Sequence, residues 1–326
     1  MQYILIDMFR FGLPYALLAL GIFISYRVLD VADLSCEGTF TLGGALSSVL
    51  LVLGLNPFLA TLIGMLAGFI AGVITGIIHT KLKITALLSG IITMTGLFSI
   101  NMVIMGLAPS SVLLDAQGEL IIKYSTSGYA ANVYLNGLNI NGEDITTIYE
   151  SFLAFLPKIN YNMIFVSLII VIIIAFAIYW FFGTEIGMSV RATGINPNMA
   201  RAQGINTNAM IILGLGLANA LISLSGSMFA QTQGNANNQM GVGVLVIGLA
   251  SIIIGEGVFG KRTFKNWMIS VLLGAILYYL IIVVAIQLGL PSYYQKLLYA
   301  LLILIVLAFP RLRKLIFNGG KKHANA

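Results

Sequence analysis

The chain has 326 residues, of which 59% are hydrophobic and 9% are charged, and its formal net charge at pH 7 is +6. Its mean hydropathy is +0.99, and its apolar runs repeatedly reach about 20 residues, the length that a helix needs to cross a bilayer. The sequence therefore predicts a polytopic membrane protein. In such a protein an excess of Lys and Arg sets orientation, so the positive charge does not indicate nucleic-acid binding.

Hydropathy predicts an all-α fold in a single transmembrane domain, residues 1–326, with about nine spans and a range of roughly eight to ten. The first apolar run lacks a basic start and a small-residue cleavage site, so it is interpreted as a span and not as a signal peptide. The predicted spans lie near residues 5–26, 40–55, 58–79, 85–107, 161–182, 209–230, 241–259, 266–289 and 295–310.

The distribution of basic residues predicts the orientation of the chain. With the N-terminus outside, the inner segments hold most of the Lys and Arg residues, including those of the basic tail, residues 311–326. The outer segments then hold only Arg10, Lys123, Lys158 and Lys296. Because cytoplasmic loops are enriched in Lys and Arg, this pattern predicts an outer N-terminus and a cytoplasmic C-terminus in the cell membrane.

A first polar interruption, "LDVADLSCEGTFTLGGA", lies between the first two predicted spans and contains Asp30, Asp33 and Glu37. Carboxylates at bilayer depth cost about 2.5–3.5 kcal/mol each on insertion scales, so they are usually paired, facing water or functional. Two interpretations remain open here. The acids line a translocation path, or they lie at the inner membrane interface and cap helices.

A second interruption, "QTQGNANNQMGVG", residues 231–243, is rich in amides and carries no charge. It either lines a translocation path with neutral hydrogen-bonding groups or forms an outer turn. Five predicted spans separate the two interruptions, and an odd number inverts their orientation in the membrane. Paired interruptions in matching places of two halves are typical of inverted repeats around a central path.

Two further patterns concern helix packing and the outer side. Gly64, Gly68, Gly72 and Gly76 recur every four residues in the third span and predict close approach of another helix. The segment 108–160 is predicted to be extracellular, and "NGLNINGED" within it indicates turns and a hairpin. This segment either receives a partner or ligand or is a solvated connector.

The sequence contains no arrangement typical of an enzyme or a metal site. "GEGVFGKR" has the glycine and lysine spacing of a phosphate-binding loop, but Arg262 stands where Ser or Thr is needed and the segment ends a span. Glu256 is interpreted as a charge partner of Lys261 and Arg262 at the helix end. No histidine lies near the single cysteine, Cys36, in the sequence. We therefore predict a protein that is not an enzyme and holds no cofactor or metal.

A polar island, "SVRATGINPNMARAQGI", residues 189–205, stands between two apolar runs. Asn196 is a good N-cap, Pro197 fits the first helical position, and Gly204 can close a helix in the left-handed conformation. The predicted helix has about two turns and is marginal in water by itself, so the membrane domain or a partner must support it.

The same island presents groups for contact with a soluble partner. Met199 and Ala200 offer apolar contact, and Arg191 and Arg201 offer charge. Packing of the loop on its own membrane domain is the alternative.

Three ordered motifs resemble those of ABC importer permeases of the branched-chain amino acid and ribose type. "RATGINPNMARAQGI" is similar to their cytoplasmic coupling segment, in which an A-x-G-x-N…A-R…G-I pattern recurs. "ADLSCEGTFTLGGA" is similar to the D-L-S…G segment near their start, and "GVLVIGLASIIIGEGVFGKR" to their Gly-rich segment after the second interruption. The resemblance covers about residues 11–310.

The resemblance implies a type II-like transmembrane domain that pairs with a second protomer, most simply as a homodimer. It further implies two cytoplasmic ATP-binding subunits, which hold ATP and Mg, and an external substrate-binding protein or lipoprotein. ATP binding would close the ATPases and push the short helices of the coupling loop, residues 184–208, so that the two inverted halves switch access.

The resemblance also assigns roles to particular residues. The coupling role falls on Arg191, Gly194, Asn196, Pro197, Ala200, Arg201, Gly204 and Ile205. The pathway role falls on Asp33, Ser35 and Gly38 in the first interruption and on Asn235, Asn237, Asn238, Gln239 and Gly241 in the second. Glu37, which stands directly before Gly38, is predicted to line the path with them.

The first interruption also bears on the substrate. Sugar permeases of this type tend to read D-L-S-x-G, whereas this chain has Glu37 before Gly38 in "DLSCEG". That form is similar to the branch associated with uptake of amino acids, including aromatic ones such as tryptophan and tyrosine. The resemblance thus implies import of an aromatic or branched-chain amino acid. Import of a sugar or nucleoside, ion-coupled secondary transport and a non-transporting scaffold remain the alternatives.

Overall fold

A computed structural model describes residues 2–106 and 162–287, and between them the short segments 112–114, 120–122, 132–134, 139–140 and 143–144. The first part comprises α1 (Gln2–Phe23), a π-helix (Ile24–Val28), α2 (Ser35–Val52), α3 (Pro57–Lys81) and α4 (Ala86–Gly106). The second part comprises α5 (Asn162–Phe181), α6 (Glu185–Ile195), α7 (Pro197–Ala202), α8 (Thr207–Gln233), α9 (Val244–Phe259) and α10 (Phe264–Gln287).

Seven helices of the described ranges are long and apolar enough to cross a membrane, and α9 is a shorter apolar helix. The prediction of an all-α polytopic membrane protein is therefore confirmed. The last predicted span, 295–310, and the basic tail, 311–326, lie outside the described residues.

The first interruption is shorter than hydropathy predicted. Helix α2 begins at Ser35 and not near residue 40, because the Asp33 carboxylate accepts a hydrogen bond of 2.8 Å from the Ser35 N–H. Such side-chain acceptors satisfy the free N–H groups of a first helical turn. Glu37 and Gly38 are consequently helical, and only residues 29–34 connect the π-helix to α2.

The glycine stripe of α3 packs against α8, which confirms the predicted close approach. A Cβ added at Gly68 would lie 2.2 Å from the Cβ of Ser223, and one added at Gly72 would meet the Leu215 carbonyl. The Ser223 hydroxyl donates a hydrogen bond of 2.6 Å to the carbonyl oxygen of Gly64. Backbones this close leave room only for glycine on one side.

Helix α8 lies at the centre of the molecule and packs against α1, α2 and α3. Its residues from Gly214 to Thr232 are buried almost without interruption. Near its end, Phe229 contacts Tyr15 of α1 at 5.2 Å between ring centroids and Phe40 of α2 at 5.6 Å. Helices α4 and α5 instead expose large apolar side chains on one face, as expected for contact with lipid or with a second protomer.

The short strands pair in the segment predicted to be external. Asn139–Ile140 and Glu143–Asp144 form an antiparallel pair, which confirms the hairpin predicted at "NGLNINGED". A second pair was not predicted: Asn132–Tyr134 lies antiparallel to Asn235–Asn237, which belongs to the second interruption. The strand Asn132–Tyr134 is thus joined by backbone hydrogen bonds to the segment that follows α8.

Candidate translocation and coupling sites

The second interruption re-enters the helical bundle. Helix α8 ends at Gly234 with φ +74°, and the strand Asn235–Asn237 then packs near the carboxyl end of α2, where Ala236 joins the cluster around Ala45. Farther on, Gly241 lies against the carbonyl of Glu37. Glu37 precedes Ala45 by eight residues in α2, so the two contacts are about 12 Å apart along that helix. Helix α9 therefore begins inside the bundle and not at its surface.

The two interruptions meet where α9 begins. Glu37 Oε1 accepts a hydrogen bond of 3.0 Å from the N–H of Gly243, which is the N-cap of α9 and has φ +89°. Glycine is suited to this position because other residues rarely adopt that backbone conformation. A carboxylate at the first N–H groups of a helix also interacts favourably with the helix dipole.

A cavity of about 150 Å³ opens beside this contact, between α2, α4 and the second interruption. Three of the predicted pathway residues line it, namely Glu37, Gly38 and Asn238. Six further residues line it that the sequence analysis did not select: Thr41, Met94, Thr95, Phe98, Asn101 and Val242. Of these, Asn101 carried a detectable signal, because it is an amide within an otherwise apolar span.

Asp33 and Ser35 do not line this cavity and instead form a buried polar network. The Asn219 side-chain amide donates to Asp33 Oδ2 at 2.7 Å, and the Ser35 hydroxyl lies 3.3 Å from Asn219 Oδ1. Asp33 is only 4% exposed and also accepts the hydrogen bond from the Ser35 N–H at the start of α2. Asp30 is exposed and has φ +55°. Asn219 was missed because its partner is distant in sequence.

The other predicted residues of the second interruption also lie away from the lining. Asn235 and Asn237 are in the strand, and the Asn237 side chain accepts a hydrogen bond of 3.0 Å from the Gln239 N–H. Gln239 is exposed, and Gly241 has no room for a side chain because a Cβ would overlap the Glu37 carbonyl. These residues shape the segment, whereas Asn238 alone among its amides lines the cavity.

The predicted helix of the polar island is present as α7, with the expected caps. Asn196 Oδ1 accepts a hydrogen bond of 3.1 Å from the Met199 N–H, and Pro197 occupies the first helical position. Gly204 has φ +84°, and the Ile205 N–H donates to the Ala200 carbonyl at 3.0 Å. The helix spans six residues, which is close to the predicted two turns.

A second helix, α6, precedes α7 and was not predicted. Its N-cap is Thr184, whose hydroxyl accepts a hydrogen bond of 3.3 Å from the Gly187 N–H. Arg191 of this helix stacks its guanidinium over the Phe264 ring at 4.4 Å, and a side chain at Gly194 would overlap the Val28 carbonyl. Both residues thus contact the rest of the chain.

The exposed apolar residues around α7 are Met199, which was predicted, and Ile195, which was not. Ala200 is 1% exposed and faces its own chain, so the expectation that it contacts a partner is wrong. Ile195 and Met199 are 82% and 58% exposed. Arg201 is also exposed, and its Nε donates a hydrogen bond of 2.8 Å to the Thr207 hydroxyl.

Glu256 pairs with a different residue from the one predicted. Its carboxylate forms an ion pair of 2.9 Å with Arg27 in the π-helix and accepts a hydrogen bond of 2.8 Å from the Trp267 indole N–H. The sequence placed it beside Lys261 and Arg262, but folding brings Arg27 closer.

The residues that the structure describes contain no group of three or more His, Cys, Asp or Glu side chains that could hold a metal ion.

A bundle of apolar helices long enough to cross a membrane, with a small cavity beside the segment that follows α8, is the architecture expected of a membrane transport protein. Residues 4–307 match the family model described as the branched-chain amino acid transport system/permease component, and the chain belongs to that family. Members of this family are permease components of transport systems, so the chain is a permease subunit and not an enzyme.

Individual relatives agree with this assignment. The tyrosine transport system permease protein of Clostridioides difficile is 35% identical over 91% of this chain and 88% of its own length. An uncharacterized protein of Rickettsia prowazekii is 28% identical over 89% of this chain and 92% of its own. The autoinducer 2 import system permease protein of Escherichia coli is 30% identical over 43% of this chain and 40% of its own. No solved structure matches the chain.

Proposed function

We propose that the chain is the multi-pass permease subunit of an ATP-binding-cassette importer and forms the path for an aromatic or branched-chain amino acid. The observation that carries this proposal is α7, a capped six-residue helix beside which Ile195 and Met199 are largely exposed. So short a helix is marginal by itself, and apolar groups exposed together are typical of a protein interface. The similarity to a tyrosine transport permease supports the substrate class.

The partners follow from this assignment. Two cytoplasmic ATP-binding subunits bind the surface around α7 and supply the sites for ATP and Mg, and an external binding protein delivers the substrate. A second copy of the chain completes the permease. The N-terminus lies outside and the coupling loop lies in the cytoplasm. Arg10 contacts Thr232 at the end of α8, while Arg27, about 25 Å farther along α1 and the π-helix, lies near α6, so the N-terminus and the coupling loop lie at opposite ends of the bundle.

A chain of contacts connects the coupling loop to the cavity. Gly194 of α6 packs on Val28 of the π-helix, and the neighbouring Arg27 is paired with Glu256 near the end of α9. The other end of α9 begins at Gly243, whose N–H is bonded to Glu37. Because α9 is a single helix, displacement of the coupling loop moves the cavity wall and changes access to it.

The test is ATP-driven tyrosine uptake by the complete transporter in proteoliposomes. Arg201→Glu, deletion of residues 197–203 and the double change of Ile195 and Met199 to Ser should each abolish uptake, because each removes part of the ATPase contact. Arg262→Glu is the matched control, since Arg262 is likewise exposed but lies in a different loop. If uptake survives all three changes while the ATPase stays bound to the membrane, the surface around α7 is not the ATPase contact and the proposal is rejected.

An ion-coupled secondary transporter is the second candidate, favoured by the buried carboxylate of Asp33. In that mechanism uptake follows an ion gradient and needs no ATP. Proteoliposomes that take up tyrosine under a proton or sodium gradient without nucleotide would establish this alternative. Uptake that depends on enclosed ATP and persists without either gradient would reject it.

A further inference from the structure

The cavity beside Glu37 contains buried amide groups whose hydrogen-bonding capacity is unused. Asn238 is 3% exposed, and neither its Oδ1 nor its Nδ2 has a hydrogen-bond partner. Asn101 is 1% exposed; its Nδ2 donates to the Gly38 carbonyl at 3.1 Å, but its Oδ1 has no partner. Buried polar groups are almost always hydrogen-bonded, so unpartnered ones that line a cavity indicate a polar occupant.

The charge of the lining indicates the sign of that occupant. Glu37 carries a carboxylate, and no Lys or Arg is among the residues that line the cavity. Its acceptors are the Glu37 carboxylate and the side-chain oxygens of Asn101 and Asn238, whereas the Asn238 amide is the one unpartnered donor among these groups. A primary ammonium group has three N–H donors and no acceptor, so it complements such a set.

The size and the apolar walls restrict the occupant further. A volume of about 150 Å³ is close to that of engineered cavities that hold one benzene ring, so the site admits the head group of an amino acid but not a large molecule. Phe98 and Val242, at the lining, are 41% and 52% exposed, so the cavity opens along an apolar rim. The side chain of a bound amino acid would lie against that rim.

We infer that this cavity binds the α-ammonium group of an amino acid within the membrane domain, with Glu37, Asn101 and Asn238 as its acceptors. The inference rests on the proposed function, because it names a binding step on the path that the permease provides. The contact between Glu37 and Gly243 also places the site at the first turn of α9, so movement of α9 alters the pocket that holds the ammonium group.

The test is protection of a thiol at the rim by small probes, measured on the full-length chain in liposomes without the binding protein. Cys36→Ala removes the one native thiol, and Phe98→Cys introduces one at the rim. Alkylation by a small water-soluble reagent should slow at least threefold in millimolar L-tyrosine or tyramine, which carry an amine. It should not slow in 3-(4-hydroxyphenyl)propionate, which has the same ring without an amine.

Variants of the lining test the role of each acceptor. Glu37→Gln keeps an oxygen for the Gly243 N–H but removes the charge, so protection by both amines should be lost. Asn238→Asp adds an acceptor charge and should allow protection at lower amine concentration, whereas Asn238→Leu should abolish protection. Glu185→Gln, on the exposed surface of α6, is the matched control and should leave protection unchanged.

Equal protection by the amines and the propionate, or none by either, would overturn the inference and leave a cavity filled by water. A rim thiol that no reagent reaches would overturn it as well, because the cavity would then be closed to the aqueous path. These outcomes are separate from those of the coupling test. Amine protection without ATP-driven uptake keeps the site and rejects the importer assignment, and the reverse result keeps the importer and rejects the site.

Discussion

Arg27 and Glu256 form an ion pair of 2.9 Å between the π-helix that ends α1 and the last turns of α9. The two residues are 229 positions apart in the sequence. Their side chains are 32% and 12% exposed, so the carboxylate is the more buried partner. The pair fixes the end of α9 to the element on which α6 packs, and it therefore connects α6 to the helix that follows the second interruption.

Removal of the Arg27 charge should destabilise the protein. Arg27→Met leaves the largely buried Glu256 carboxylate without its counter-charge, at an expected cost of about 1–3 kcal/mol. The double variant Arg27→Met and Glu256→Gln should recover much of the loss, because it removes both charges. Thermal unfolding in detergent measures both effects, and Lys261→Met, an exposed cation in the neighbouring loop, is the control.

A larger residue at Gly68 should separate α3 from α8. Its Cβ would lie 2.2 Å from the Cβ of Ser223, so Gly68→Ala should cost about 1–3 kcal/mol through overpacking. Gly96→Ala is the control, since no atom lies within 4 Å of a Cβ at that position of α4. The melting temperature should fall for the first variant only, and equal values for both would contradict the packing.

Loss of the Asp33 side chain should weaken the start of α2 and strand a buried amide. Asp33→Ala removes the acceptor for the Ser35 N–H, a change worth about 1 kcal/mol at helix N-termini. It also leaves the Asn219 amide with less hydrogen bonding in a site that excludes water. Asn219→Ala in the same chain should restore part of the stability in a double-mutant cycle. Strictly additive losses would show that the two side chains are not coupled.

The cap of α7 should matter for transport more than for stability of the whole chain. Asn196→Ala removes the acceptor for the Met199 N–H and weakens this six-residue helix by about 1 kcal/mol. We expect a lower ratio of substrate transported to ATP hydrolysed in proteoliposomes.

Asn56→Ala provides the matched control for this cap. Asn56 accepts a hydrogen bond of 3.0 Å from the Phe58 N–H at the start of α3, a helix of 25 residues. Asn56→Ala should cost a similar amount of helix stability, but α3 is long and packed along its length. The ratio of substrate transported to ATP hydrolysed should therefore not change. If both variants transport with the same efficiency as the wild type, α7 does not transmit motion from the ATPases.

Patterns of local origin were readable from the sequence. Apolar runs defined the membrane helices, because the bilayer requires internal hydrogen bonding over a fixed length. Cap residues such as Asn196 and Gly204 marked the bounds of α7, since capping depends on neighbours within a few positions. The glycine repeat of α3 predicted a close helix contact, although the sequence did not say that α8 is the partner.

What depends on distant segments was decided only by the tertiary structure. Whether a carboxylate lines a cavity or is buried in a network is set by the side chains brought next to it. Asp33 accepts a hydrogen bond from Asn219 and is buried. Glu37, four residues later, accepts one from the Gly243 N–H and lines the cavity. Likewise Glu256 paired with Arg27 and not with its neighbours in sequence. The sequence by itself determined which polar groups interrupt the apolar runs; the packing of α2, α4 and the second interruption decided which of them line the cavity.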